Sequence, residues 1–443
     1  MGKLKIDAKE LRRLGYPDGP IISQAMRLVQ QQFKHTPRDE VITLLQNLWD
    51  HPDTYLADPA LTALAKAIQQ RQTPVDQRKS DRLATQLPTP LSPTPAPYTI
   101  YGEAGIEAEA IRQMDLAMRL PVAVAGALLP DAHAGYGLPI GGVLAADNAV
   151  IPYGVGVDIG CRMCLTLYDL PESTLTGQTD RLQNMLWRET NFGTGGEFDR
   201  FTDDPVLDRP EFDQLPVLRG LKDKAARQLG TSGSGNHFVE FGVVELTADA
   251  LPGVQPGRYV ALLSHSGSRG LGATVAKHFT KLAMAQSSLP REARHLAYLG
   301  LGTDAGQQYW QAMTLAGDYA TACHHVIHRK IAKALGEKPL TLIENHHNFA
   351  WKEVHDGREL IVHRKGATPA GSGTLGIIPG SMVQPGFLVR GRGVPSSLSS
   401  ASHGAGRQLS RAEARQRVTR STLKRLLADH GVVLLGGGLD EAP

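Results

Sequence analysis

The sequence predicts an α+β fold, and three observations carry that expectation. From residue 99 to about 400, short apolar stretches alternate with glycine-rich loops. Helical periodicity is confined to a few segments, and strands and helices intersperse without a regular βαβ rhythm. A hydrophobic content of 41% and a charged content of 21% over 443 residues describe an ordinary folded chain, long enough for two or three domains. The net charge of +3 is too small to single out nucleic acid as a partner, so any basic surface must be local. Three cysteines are too few for a disulfide framework and fit a reducing cytoplasm. No apolar run reaches bilayer length, so a cytoplasmic protein with no membrane association is expected.

Residues 1–85 read as a small helical extension. Apolar residues fall at helical spacing over Ile22, Met26, Val29 and Phe33, again over Val41, Leu44, Leu45 and Leu48, and again over Leu61, Leu64, Ala65 and Ile68. Asp58-Pro59 marks a helix start. Residues 86–98 hold five prolines and read as an extended, semi-rigid linker. Residues 99–443 form the second region. It opens with an amphipathic helix over 103–120, followed by a buried strand over 122–129. Further helices are expected near 271–287 and 305–335. Asp356-Gly357, between Trp351-Lys-Glu-Val and Glu359-Leu-Ile-Val, signals a hairpin. Residues 410–427 read as one basic helix.

Gly154-Val-Gly-Val-Asp-Ile-Gly-Cys161 draws attention as chemistry. Asp158 and Cys161 stand three residues apart among glycines, so a carboxylate and a sulfur can turn toward one point. Taken alone, the octet is equally a glycine-rich turn beside a buried cysteine. Five further segments set histidine among glycine, asparagine or arginine: Pro130-Asp-Ala-His133-Ala-Gly135, Gly235-Asn-His237-Phe238, Ser264-His265-Ser-Gly-Ser-Arg269-Gly270, Asn345-His-His347-Asn348-Phe349 and Ser402-His403-Gly-Ala-Gly-Arg407. Neutral imidazoles, a thiolate and a carboxylate suit a borderline divalent metal. Arginines in Gly/Ser-rich loops suit phosphate. Cys161-Arg-Met-Cys164 also matches a redox CxxC pair, but no thioredoxin-like βαβ context surrounds it. Under the metal reading Cys161 is a ligand and Cys164 packs. The stretch 366–386 resembles a nucleotide cradle without the lysine of a Walker loop.

These strings, with Gly233-Ser-Gly-Asn-His237-Phe-Val-Glu240, Arg364-Lys-Gly-Ala367 and Pro379-Gly-Ser-Met382, resemble in their order the RtcB family of RNA ligases, from about residue 98 to the end. The resemblance implies an RtcB-like fold of mixed sheets and helices around a central metal cleft. It implies a ligase that joins RNA ends bearing a 2′,3′-cyclic phosphate or 3′-phosphate to 5′-hydroxyl ends, using GTP and manganese, in RNA repair or tRNA splicing. A helper protein is a further candidate partner.

Carried over residue by residue, Asp158, Cys161, His237, His265 and His347 would hold two Mn²⁺ ions, with Cys161 bridging, and His403 would take GMP. The nucleotide- and phosphate-binding set would be Asn236, Glu240, Arg269, Asn348, Pro379, Gly380, Ser381, Met382, Gly404, Ala405, Gly406 and Arg407. The helical extension departs from the compact members of the family. The family also continues past Leu439-Asp-Glu-Ala-Pro443 through a tyrosine-containing segment to a lysine that contacts guanine. The expectation is therefore a truncated C-terminal end or a different mode of nucleotide binding. Two other readings fit the residues. One is a di-metal phosphodiesterase or phosphatase that does not ligate. The other is a non-catalytic RNA-binding protein using the basic helix of Arg411, Arg415, Arg417, Arg420, Lys424 and Arg425.

Overall fold

The structure, a computed structural model, describes residues 6–16, 20–72, 89–247, 250–406 and 409–443. The chain divides into two compact units, residues 1–87 and 88–443. The first unit is helical, with helices Ala8–Arg13, Pro20–Gln32, Arg38–Asp50 and Thr62–Gln72. Their apolar stripes close one core through Leu11, Val29, Leu45, Leu48 and Ile68. The Tyr16 hydroxyl donates to the Leu45 carbonyl at 2.8 Å while its ring packs on Trp49. The last helix starts at Thr62, later than Asp58-Pro59 suggests. Asp58 spends its carboxylate on the N–H groups of Ala60 and Leu61, which holds Pro59 in a turn ahead of the helix.

In the second unit, residues 89–97 have no regular structure, yet they are no free spacer. Ser92 and Ala96 donate their N–H groups to the carbonyls of Arg119 and Met118, at the end of the helix Ala108–Met118. Residues 86–88 of the proline-rich stretch lie outside the described residues. The helix expected over 103–120 is shorter because Glu103–Gly105 forms a separate 3₁₀ turn and Ile106 is extended.

The strands are β1 (Tyr98–Ile100), β2 (Ala123–His133), β3 (Ile140–Ala146), β4 (Ala149–Val150), β5 (Arg162–Tyr168), β6 (Phe238–Leu246), β7 (Gly257–Ser266), β8 (Leu299–Gly300), β9 (Thr341–His346), β10 (Asn348–His355), β11 (Arg358–Lys365), β12 (Ala367–Pro369), β13 (Leu375–Ile378), β14 (Phe387–Arg390) and β15 (Ser400–Ser402). A five-stranded sheet runs β1-β2-β3-β11-β10 and a four-stranded sheet runs β6-β7-β5-β9. Pairing is antiparallel except between β1 and β2, which bears out the α+β expectation. The β10–β11 hairpin turns at Asp356-Gly357 as expected, both residues being left-handed at φ 49° and 75°.

The four-stranded sheet is covered on both faces. Alternate β5 residues Met163, Leu165 and Leu167 join a core with the β13–β14 hairpin. Tyr168 joins a core with Ile327 and Ile331 of the long helix Asp304–Leu335. That double burial leaves every residue of β5 buried, Arg162 and Thr166 included. The expected helices near 271–287 and 305–335 are Arg269–Gln286 and Asp304–Leu335. The helix Thr179–Glu189 was not anticipated, and the basic tail is two helices, Arg411–Arg417 and Arg420–Asp429, broken where Thr419 caps the second. Arg411 and Arg415 pair with Glu441 and Asp440, so part of that basic surface is internally neutralised. Among the described residues, no helix is long and apolar enough to cross a membrane.

A buried guanidinium ties the five-stranded sheet to the segment before His403. Arg364, 1% exposed, makes two bonds to the Glu353 carboxylate (2.6 and 2.9 Å), donates to the Ser400 hydroxyl and the Leu398 carbonyl, and stacks on Trp351. Leu398 and Ser399 sit at φ 50° and 49°, strained for non-glycine residues and held by these bonds. Replacing Arg364 by leucine leaves Glu353 only the His355 imidazole and leaves the Ser400 hydroxyl and Leu398 carbonyl without the guanidinium. The variant should lose about 3–5 kcal/mol of unfolding free energy, measured by denaturant titration of the second unit's transition.

Candidate metal centre and nucleophile

One end of the four-stranded sheet gathers the predicted ligands. Because β5 runs antiparallel to β7 and β9, the start of β5 meets the ends of its neighbours. Arg162 pairs with Ser266 on one side and His346 on the other, and Phe238 at the start of β6 pairs with His265. Cys161 therefore immediately precedes β5, His237 precedes β6, His265 is the penultimate residue of β7, and His347 follows β9.

The Asp158–Cys161 turn is closed by the Cys161 N–H donating to the Asp158 carbonyl. It is pinned to the chain after β9 by Gly160 N–H to the Asn348 carbonyl (2.8 Å) and His347 N–H to the Cys161 carbonyl (2.9 Å). Gly160 is left-handed at φ 71°, and a Cβ there would lie 2.8 Å from the Gly317 Cα of the long helix. Only glycine meets both demands.

The side chains converge. His237 Nε2 is 2.8 Å from Asp158 Oδ2, Cys161 Sγ is 3.4 Å from His237 Nε2 and 3.2 Å from His265 Nε2, and the Nε2 atoms of His265 and His347 are 3.1 Å apart. His265 Nδ1 faces the Asn236 carbonyl at 2.8 Å; a carbonyl only accepts, so Nδ1 carries the proton and Nε2 presents a lone pair to the cluster. Burial, reinforced by neighbouring His237, pushes His265 down to about 3. Burial likewise holds His347 well below the usual histidine range, with the His403 and His265 charges acting in the same direction. The Cys161 thiol is raised by burial and by the Asp158 charge. Burial raises Asp158 too, but the His237 hydrogen bond and charge outweigh it, and its carboxyl lies below the usual range. Neutral imidazoles facing each other, a carboxylate and a buried sulfur make a site in want of a cation, and these donors fit a divalent metal.

Cys164 faces the other side of the sheet with His324 and His328. That trio could hold a metal by proximity. Each imidazole nitrogen is already engaged, however. His324 bonds the Ser264 hydroxyl and the Ser266 carbonyl, and His328 bonds the hydroxyls of Ser264 and Thr166. It is a satisfied polar layer beneath the ligand strand.

His403 follows β15, whose partner β12 starts two residues after Lys365. Its Nδ1 donates to Asp131 Oδ2 at 2.7 Å, and the same oxygen accepts the N–H groups of His403 and Gly404. Burial raises Asp131, but the hydrogen bond and charge of His403 outweigh it, so the carboxyl is held below its ordinary value. A carboxylate only accepts, so Nδ1 carries the proton that faces Asp131, and in the neutral ring the lone pair is on Nε2. The His403 and His347 rings lie 5.0 Å apart. The role of Asp131 was missed from sequence: its string was noted for His133, which instead only contacts the Asp131 carbonyl. The usable signal was a carboxylate in an apolar strand, a costly placement without a cationic or hydrogen-bonding partner.

The remaining predicted residues distribute around this centre. Pro379 packs near Gly404, and Pro379–Met382 joins β13 to β14. The hairpin is fastened to β9 by the Asn345 amide, bonded to Ile377 and Thr368. Asn236 is exposed beside His237. Glu240 reaches solvent yet is surrounded by protein, which pushes its carboxyl up to about 7. Arg269 donates to the Thr231 hydroxyl and the Gly193 carbonyl. Asn348 spends its amide on the Asp158 carbonyl and the Gly366 N–H. Gly404, Ala405 and Gly406 form the turn after His403, with Gly406 left-handed at φ 75°. Arg407 lies outside the described residues.

An α+β fold that presents a buried Asp/Cys/His cluster beside a carboxylate-oriented histidine defines a class of protein with a metal-suited catalytic centre. Residues 113–211 and 207–438 match the family model described as tRNA-splicing ligase RtcB. An RNA-splicing ligase RtcB of Escherichia coli (strain K12) is 34% identical over 345 residues, covering 70% of this chain and 81% of that protein. A tRNA-splicing ligase RtcB of Nanoarchaeum equitans is 33% identical over 384 residues, covering 71% and 80%. One from Archaeoglobus fulgidus is 29% identical over 400 residues, covering 74% and 82%. The chain belongs to the RtcB family and is an RNA ligase.

Gly267 packs so closely on the cluster that a Cβ there would lie 2.0 Å from Asp158 Oδ1. Gly267→Ala should displace that carboxylate, and Cys161→Ser should remove the sulfur shared by two imidazoles. Each should weaken metal binding by about 10- to 100-fold, the range of disturbed ligand geometry, measured by metal titration of the apoprotein. Equal affinity in Gly267→Ala and the parent would remove Asp158 from the ligand set.

Proposed function

We propose that this ligase joins RNA 3′-phosphate or 2′,3′-cyclic phosphate ends to 5′-hydroxyl ends through a GMP carried on His403, acting in cytoplasmic RNA repair or tRNA splicing. The observation that carries the reading is the His403–Asp131 pair beside the ligand cluster. It leaves Nε2 free and oriented as a nucleophile, with its proton fixed on the far nitrogen.

Water first opens a 2′,3′-cyclic end at its P–O2′ bond to a 3′-phosphate and a 2′-hydroxyl; Nε2 attacks the α-phosphorus of GTP, pyrophosphate leaves, and the guanylate passes to the RNA 3′-phosphate, from which the 5′-hydroxyl displaces GMP. Asp131 stabilises the positive charge that grows on the imidazole as it forms the bond. Asp158, Cys161, His237, His265 and His347 would hold two metal ions, which would supply positive charge to the phosphoryl oxygens. The Cys/His donor set by itself suits zinc or iron; manganese is what the family resemblance implies, so metal identity is part of the test. Asn236, Arg269 and Arg407 take the phosphates. Glu240, Ser381 and the 379–382 and 404–406 turns hold the guanylate, and Asn348 keeps the Asp158 loop in place.

Incubation with GTP labelled in its α-phosphate and Mn²⁺ should give an acid-labile protein adduct that His403→Ala lacks. Asp131→Asn keeps the shape and removes the charge, and should slow adduct formation by at least about tenfold. An undiminished adduct on His403→Ala would overturn the nucleophile assignment. Cyclic-phosphate ends opened without GTP and never joined would favour a phosphodiesterase instead.

A further inference from the structure

A cavity of about 340 Å³ opens on the loop next to the metal ligands, within the size range of small-ligand sites. Its walls include Trp187, Phe192 and Phe198. Trp187 is 53% exposed and meets Phe192 edge to face, with ring centroids 5.7 Å apart. The Lys330 ammonium covers one face of Phe198 at 3.8 Å. A large aromatic left half in solvent at a cavity mouth is costly for a lone protein and useful to a planar ligand. Thr190 also lines the cavity. It is 1% exposed, and its hydroxyl is buried with no hydrogen-bond partner among the described residues. A buried orphan hydroxyl beside aromatic walls calls for a ligand edge bearing donors and acceptors.

The position of the cavity ties it to the reaction. The segment that lines it is stitched to the loop carrying His237. Ser232 N–H donates to the Asn191 carbonyl (2.8 Å) and Gly193 N–H to the Gly233 carbonyl (2.9 Å), while the Thr194 and Ser234 hydroxyls meet at 3.1 Å. Arg269 fastens the same segment through the Gly193 carbonyl. The charge of the walls argues against phosphate. Glu197 and Asp199 outnumber the one guanidinium, Arg188, and both Glu197 and Arg188 already sit in ion pairs, with Arg227 and Glu189. A neutral, flat, polar-edged group is what remains.

We propose that this cavity binds one unpaired base of the RNA strand being joined, stacked on Trp187 with its edge on the Thr190 hydroxyl. The inference rests on the ligase reading for its substrate but on separate residues for its site. A base held there anchors the strand a short distance from the reacting end and sets which nucleotide near the junction must be unpaired.

Fluorescence-anisotropy titrations with 3′-phosphate RNA strands test it, with one abasic nucleotide moved stepwise from the end. In the parent protein one position should weaken binding by about 5- to 150-fold, the range of a single lost base stack. Trp187→Ala should bind the intact strand weaker by the same factor and become indifferent to that position, while Trp187→Phe retains the sensitivity. Thr190→Val keeps the volume, removes the hydroxyl and should lose preference among bases there. No sensitive position in the parent, or one that persists in Trp187→Ala, overturns the proposal. Binding needs no ligation: a sensitive position without joined product fails the ligase reading and keeps the base site. Joined product without any sensitive position fails the base site alone.

Discussion

Strand register at one end of the four-stranded sheet is the constraint on which the rest depends. Arg162 must face Ser266 and His346 together, and Phe238 must face His265, for four separate segments to deliver Asp158, Cys161, His237, His265 and His347 to one point. A slip of one residue in β7 would send His265 into the layer now held by Ser264 and exchange a ligand for a hydroxyl. Register here is strongly specified because both faces are occupied. The β13–β14 hairpin covers one face and the long helix Asp304–Leu335 the other.

The polar residues beneath that end act as a second lock. Arg162, nearly fully buried, spans the Gly160 and Gly317 carbonyls and the Glu344 carboxylate. Ser264 bridges His324 and His328 directly behind His265. Both of those histidines have each ring nitrogen bonded, and a network partnered in this way rigidifies what packs on it. His265 is thus backed by hydrogen bonds that cannot relax without leaving a buried group unmet. His403 comes from the separate two-stranded pair of β12 and β15. The chain passes from one sheet to the other at His347-Asn348, and Arg364 and Asp131 then hold the strained segment around residues 398–404 against the five-stranded sheet. Two independently supported walls meet at a corner, and both face one centre.

Much of this was legible in the chain. The helical extension, the long helices, the Asp356-Gly357 hairpin and the ligand motifs each rest on local chemistry: periodicity, turn residues, or a carboxylate and sulfur among glycines. The failures were also local in origin. A helix boundary moved where Glu103–Gly105 took a 3₁₀ turn, and the basic tail broke at Thr419 because its hydroxyl caps the second half. Thr179–Glu189 escaped notice, being short and largely polar on its outer side.

Residue types and their order determined which groups can serve: which histidines sit in glycine-rich loops, which cysteine stands near a carboxylate, and the family to which the chain belongs. Tertiary structure alone decided how they are used. Cys161 and Cys164 are three residues apart in one motif, yet strand alternation sends one to the ligand cluster and the other to a sealed polar layer. Asp131 and His403, 272 positions apart, become one unit only when β2 and β15 are brought together. The side of a strand a residue faces, and the distant partner that sets its proton, are properties of packing and not of neighbours in sequence.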